Sequence, residues 1–217
     1  MKRIMTLVLV AMPLAGACAQ ERIVGSGIAT TETRQMGAFN QIDLRIAADL
    51  KITIGKPSPL TIETDDNILP WIETEVRDGK LIISSDKSFK TENEPDISVT
   101  VADLKGLSVS GSGDVIVTGL DNKALKVQLA GSADVRLYGK TTELDIKISG
   151  SADVFASNLQ AEEAEVSITG SGDVRVHVTQ KLEVRITGSG DVVYRGSPRV
   201  TAKVTGSGNV TKDKKSA

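Results

Sequence analysis

From residue 101 onward, apolar and polar residues alternate in short runs that stop at the same landmark. Counting back two, four and six from Gly131 gives Leu129, Val127 and Leu125. The same count gives Ile148, Ile146 and Leu144 from Gly150, Ile168, Val166 and Ala164 from Gly170, Ile186, Val184 and Leu182 from Gly188, and Val204, Ala202 and Val200 from Gly206. The residues between them are polar, as in Lys126 and Gln128, Asp145 and Lys147, or Glu183 and Arg185. A period of two with one apolar face predicts strands, each burying these columns.

Past each landmark the alternation resumes, with Val115 and Val117, Val135 and Leu137, Val174 and Val176, and Val192 and Tyr194 on one side. The landmark itself is a five-residue word, Gly111-Ser112-Gly113-Asp114-Val115, repeated from Gly131, Gly150, Gly170, Gly188 and Gly206 at steps of 20, 19, 20, 18 and 18 residues. A fixed period marks a structural repeat, and the small residues suit a corner that needs positive φ. A coil of this length, with like coils above and below, pairs strand on strand at about 4.8 Å per step. The pattern therefore predicts a parallel β-solenoid of six rungs over residues 101–210. Short strands at this spacing also suit an antiparallel sandwich.

Residues 36–100 are all-β without the glycine word. Ile42, Leu44 and Ile46, then Leu50, Ile52 and Ile54, then Leu60 to Thr64 read as strands, and Pro70 marks an irregular segment. Glu73–Val76 and Leu81–Ser84 flank Asp78-Gly79, a hairpin signal; residues 86–96 read as a loop before Ile97, Val99 and Val101. This block is expected to cover one open end of the solenoid, within a single domain over 36–210. Residues 20–35, with Gly25-Ser26-Gly27 as a degenerate copy of the word, are either a tether or a first strand. The charged tail 211–217 is expected to protect the other end against stacking.

Residues 1–19 read as a secretory signal: Lys2 and Arg3, an apolar core from Ile4 to Leu14 too short to span a bilayer, then Ala15-Gly16-Ala17-Cys18-Ala19. Export is the expectation, to the periplasm or the bacterial cell surface. Leu14 to Cys18 resembles a lipoprotein signal, which makes Cys18 the candidate lipidation site. Ala17 interrupts the usual Leu-Ala-Gly-Cys, however, and cleavage after Ala17 or Ala19 satisfies a small-x-small rule equally well.

Composition narrows the chemistry. A net charge of −2 with only 3% aromatic residues provides neither a basic stripe nor a stacking platform, which excludes nucleic acid as a partner. Asp114, Asp134, Asp153, Asp173 and Asp191, followed by Asn209, form a ladder and are weak metal candidates; alternatively, each accepts backbone N–H groups at its own corner. The six word serines, Ser112 to Ser207, are copies of one corner residue, and His177 has no nucleophile motif beside it, so no catalytic residue and no cofactor are expected. The Gly-x-Gly words precede no helix and are not phosphate loops. Asp65-Asp66 and Glu92, Glu94 and Asp96 lie in loops, and Tyr138, Phe155 and Tyr194 fall at different offsets, so they form no sugar-stacking track.

Taken in order, Gly37-Ala38-Phe39-Asn40-Gln41-Ile42, Ala48-Asp49-Leu50-Lys51-Ile52-Thr53-Ile54, Glu73-Thr74-Glu75-Val76, Asp78 to Ile83 and the recurring Gly-Ser-Gly-Asp-Val resemble the putative auto-transporter adhesin head GIN domain family. The resemblance spans residues 23–210. It implies a right-handed parallel β-helix or solenoid, often exported or lipid-anchored. The partner expected is an unknown envelope protein or polysaccharide, with membrane contact only through the candidate anchor at Cys18. Two functions stay open: a non-catalytic surface-binding or structural module, and a polysaccharide-active lyase or hydrolase, since such enzymes also use β-helices. Rungs that differ by only two residues and carry no long insertion favour the first.

Overall fold

The computed structural model describes residues 22–213, so the signal segment, Cys18 and the end of the charged tail lie outside the described residues. The chain begins with β1 (Ile23–Val24), β2 (Ala29–Arg34), β3 (Gln41–Leu44), β4 (Asp49–Ile54) and β5 (Leu60–Asp65). A 3-10 turn at Leu69–Trp71 leads to the hairpin of β6 (Glu73–Arg77) and β7 (Lys80–Ser84), then β8 (Phe89–Lys90), β9 (Asp96–Val101) and β10 (Gly106–Val109). The repeats form four long bent strands, β11 (Asp114–Gly131), β12 (Asp134–Gly150), β13 (Asp153–Gly170) and β14 (Val174–Gly188). The chain closes with β15 (Val192–Arg195), β16 (Arg199–Gly206) and β17 (Val210–Lys212).

The repeats stack in parallel. Val127 lies against Ile146, Ile146 against Val166, Val166 against Val184 and Val184 against Ala202. On the second wall Val115, Val135, Val154, Val174, Val192 and Val210 follow one another in the same way. The first four residues of the first column and the first five of the second are buried. This is a β-solenoid with about five turns between its six corners, and the parallel register rules out the sandwich.

The N-terminal block does more than cover an end. β3 pairs with β10 and β4 with β11, both parallel, while β7 pairs with β3 and β9 with β4. The block thus prolongs both walls, and β7 and β9 lie farther out than β3 and β4 although they come later in the chain. Ala47-Ala48-Asp49 takes the place of the word in this layer: a Cβ on Gly113 would come within 2.3 Å of the carbonyl oxygen of Ala48. Antiparallel pairing of β6 on β7, β5 on β9 and β2 on β5 then ends the parallel stack, and Ile68, Leu69 and Ile72 are buried beside it. Asp78 and Gly79, with φ of 52° and 73°, make the tight hairpin turn expected of Asp-Gly.

The segment before β2 is docked. β1 pairs with β8, and Gly27 follows with its amide bonded to Asp65. Asp65 is fully buried and also accepts hydrogen bonds from Thr91 Oγ1 and Asn93 Nδ2 (2.6 Å). Those two bonds hold its carboxyl below the ordinary carboxylate range, against the opposing effect of burial.

At the opposite end the expectation fails for the last rung. Val200, Ala202 and Val204 were expected to line the core, yet no strand lies on the outer side of β16 among the described residues, and Val204 is 40% exposed. One layer below, Leu182, Val184 and Ile186 are at most 2% exposed. The cause is positional: an inward-facing side chain is buried only if a further layer covers it.

The first glycine of the word is fixed by both conformation and space from Gly131 onward, and by space alone at Gly111. Gly170 has φ of 132°, and a Cβ there would come within 2.1 Å of the carbonyl oxygen of Gly150. Gly170→Ala is expected to lower stability by about 2 kcal/mol or more, whereas Ser171→Ala, at the exposed neighbour, stays within about 0.5 kcal/mol by urea denaturation. Ile146→Asp, which buries an unpaired charge, is expected to cost several kcal/mol; an unchanged midpoint would contradict the solenoid core. Because the folded-state pKa of Asp65 is depressed, its contribution is present above the ordinary carboxylate value and is lost as pH falls below about 4. Hydrogen exchange at the Gly25 and Gly27 amides is expected to accelerate on that acidification, and Asp65→Asn to remove the pH dependence.

Candidate functional site

The repeated aspartates form one column along a corner, and their bonding runs between turns. Asp153 Oδ1 accepts the amide of Asp173 at 2.8 Å, Asp173 Oδ1 that of Asp191 at 2.8 Å, and Asp191 Oδ1 that of Asn209 at 2.7 Å. The carboxylate therefore bonds the next corner's amide, not its own, which corrects the own-corner expectation. The reason is geometric: in a parallel stack the amide one layer up lies within side-chain reach of the aspartate below. Asn209 ends the series, where no further word follows.

The column is longer than the word suggested. Asp49 stands in register below Asp114 and accepts its amide at 2.8 Å, and Asp96 pairs with Asp49. The missed signal was the strand that follows each one: Asp-Leu-Lys-Ile-Thr-Ile and Asp-Ile-Ser-Val-Thr-Val alternate as Asp-Val-Arg-Val-His-Val does, without Gly-Ser in front. Cations offset part of the stacked charge. Arg136 lies 2.9 Å from Asp114 and 3.7 Å from Asp134, and Lys51 lies 2.6 Å from Asp96. Asp134 keeps a raised pKa, first through burial and then through the charges of Asp153 and Asp114, with Arg136 opposing.

Asp114, Asp134, Asp153, Asp173 and Asp191 are thus brought into one line, but they do not converge: among the described residues no three acidic, histidine or cysteine groups surround a common point.

Beside the ladder, Arg136, Phe155 and Arg175 occupy successive layers, with the guanidinium carbons 5.1 and 5.5 Å from the ring centroid. Tyr138 lies opposite Asn158 and Tyr194 opposite Val176, so the aromatics do not share a column. The other wall carries ion pairs between layers and along strands: Arg185 bridges Glu165 (2.5 Å) and Glu183 (3.6 Å), and Lys181 lies 2.7 Å from Glu183. The word serines are all exposed, and His177 lies half-buried between Gln160 and Arg195 in adjacent layers. Asp66 accepts the Ser26 hydroxyl at 2.5 Å, so Asp65 and Asp66 both tie down the N-terminal segment. An open groove of about 580 Å³ is lined by residues that include Asp103, Lys105, Asp121, Lys123, Lys126 and Asp145. Asp145 Oδ1 is buried there without a hydrogen-bond partner, and its Oδ2 lies 3.6 Å from Lys147.

Fold and surface together define an all-β repeat protein of the adhesin-like solenoid class. The chain belongs to the family described as putative auto-transporter adhesin, head GIN domain, whose model matches residues 38–198. A putative adhesin from Bacteroides fragilis is 28% identical, with a TM-score of 0.72 over 88% of this chain and all of its own. A putative lipid binding protein from Parabacteroides distasonis (24% identical, TM-score 0.56, 89% of this chain and 100% of its own) and a putative adhesin from Parabacteroides merdae (21%, 0.55, 89% and 99%) share the fold. No curated protein matches the chain.

The ladder yields a two-part expectation. Asp173→Ala removes the acceptor of the Asp191 amide and is expected to cost about 1 to 2 kcal/mol, while Asp173→Asn, which keeps an acceptor and removes a like charge, is expected to be near neutral in urea. Asp134 has the opposite linkage to Asp65. Its raised pKa means that ionisation opposes folding at neutral pH, and that lowering the pH through the carboxylate range relieves this. Asp134→Asn is therefore expected to raise the unfolding midpoint at pH 7, with the gain disappearing below about pH 4.

Proposed function

We propose that the protein is a non-catalytic, adhesin-like module of the bacterial cell envelope, exported across the inner membrane, that binds a surface polysaccharide or envelope protein along the sides of its solenoid. The observation that carries this reading is the destination of the reactive side chains. Asp153, Asp173 and Asp191 hold the amides of neighbouring turns, Asp114 and Asp134 pair with Arg136, and Asp65 and Asp66 fasten the N-terminal segment. What faces outward is a regular array of ion pairs, hydroxyls and one Arg-Phe-Arg stack, which suits repeated weak contacts with an extended partner and does not enclose a reacting bond. Membership of the adhesin-like family supports the same class.

A polysaccharide-active enzyme has one specific place to act, the groove beside Asp145, whose Oδ1 is without a partner. Incubation with a panel of envelope and plant polysaccharides separates the two. Retention on one or more of them without new reducing ends or unsaturated products is expected; turnover abolished by Asp145→Asn would establish an enzyme instead. Mass spectrometry of the mature N-terminus is expected to find Cys18 or Gln20 first. A diacylglyceryl group on Cys18 would add an anchor, and retained Met1 would overturn export.

A further inference from the structure

The wall that runs from β6 through β7, β3, β10, β11, β12, β13 and β14 to β16 is treated differently at its two ends. At one end β6 is short, carries an internal Arg77–Glu75 ion pair of 2.9 Å, and has Arg34 nearby donating to the carbonyl of Ile72 at 2.6 Å and to Thr74 Oγ1 at 3.2 Å. Such an edge is protected against further pairing. At the other end β16 runs for eight residues, from Arg199 to Gly206, with no proline, glycine or bulge before its last residue, and its only partner among the described residues is β14. Among the described residues no strand pairs with its outer row of backbone N–H and C=O groups, and of its core-facing side chains Ala202 and Val204 are exposed while Val200 is half-buried against the core. Every other turn has solved this problem by placing a further turn on top.

We propose that β16 is a self-association edge, and that its occupant is the β16 of a second copy, run antiparallel about a two-fold axis through Ala202. The strand sequence is compatible with this pairing. In that register Val200 faces Val204, Ala202 faces Ala202, Lys203 faces Thr201 and Arg199 faces Thr205. Apolar residues meet across the core side, and on the outer side each cation faces a threonine, so no like charges stand directly opposite. An isologous contact of this kind closes on itself at two copies, whereas a head-to-tail contact would need the protected β6 edge and would not close. The pairing joins two apolar interiors into one and covers Val204.

Sedimentation and light scattering on the purified protein test the proposal. The expected result is a species of twice the chain mass that dissociates on dilution. Val204→Lys alters a residue already 40% exposed and places an ammonium opposite Val200 of the second copy. It is expected to raise the dissociation constant by about a hundredfold or more while leaving the circular dichroism spectrum unchanged. Ala202→Cys, which puts one thiol per copy at the axis, is expected to give a disulfide-linked dimer under oxidising conditions that the unsubstituted chain does not form. A monomer at every concentration, an open series of larger assemblies, or a dimer that survives Val204→Lys and gives no cross-link at position 202 would each overturn it.

Discussion

Parallel, in-register stacking of each turn on the one before is the constraint on which everything else depends. It requires the backbone of one layer to approach that of the next at strand distance not only along the walls but around the corners, where ordinary side chains would intervene. The first glycine of each word makes that approach feasible. Gly150, Gly170, Gly188 and Gly206 all have φ near +130°, each lying so close to the carbonyl below that a single methyl would displace it. The third position of the word points inward. It holds a buried alanine at 133 and 152, and glycine at 172, 190 and 208, where a Cβ would come within 2.2 Å of the carbonyl oxygen beneath.

In-register stacking also dictates the electrostatics. Any ionised residue in the repeat is copied into a column of like charges one strand spacing apart, a repulsive arrangement unless each group has a hydrogen bond of its own or a counter-ion. The aspartate corner uses both remedies. Where the carboxylate receives the next amide, as at Asp153, Asp173 and Asp191, it gains a donor and secures the turn above; at Asp114 and Asp134 Arg136 supplies positive charge instead. The facing wall solves the same problem by varying the residue from turn to turn, so that Arg185 meets Glu165 and Glu183. A surface built this way is regular, hydrogen-bonded and nearly neutral.

Stacking also explains why the ends are special. An internal turn is covered on both sides by copies of itself, and among the described residues the outermost layers have no such copy beyond them. The N-terminal block addresses one end by folding back, with the later strands β7 and β9 placed outside the earlier β3 and β4, and antiparallel strands laid on top. At the other end Val200, Ala202 and Val204 keep the core-facing pattern of the repeat, but Val200 is only half-buried and Ala202 and Val204 are exposed.

The solenoid, its corners and the columns Val127–Ile146–Val166–Val184 were legible in the sequence because the period is local: a strand's two-residue alternation and a glycine with no side chain leave their mark within a few positions. The hairpin at Asp78-Gly79 was legible for the same reason. What only the tertiary structure decided depends on partners distant in the chain. That Asp49 and Asp96 extend the ladder, that the carboxylates reach amides one layer away, and that Asp65 is held by Thr91, Asn93 and Gly27 are facts of register between layers, invisible in any one of them. The order of the first layers and the exposure of the last follow likewise from what is stacked on what. An apolar alternation specifies which side of a strand faces inward, but burial requires a neighbour, and the neighbour is chosen by the whole fold.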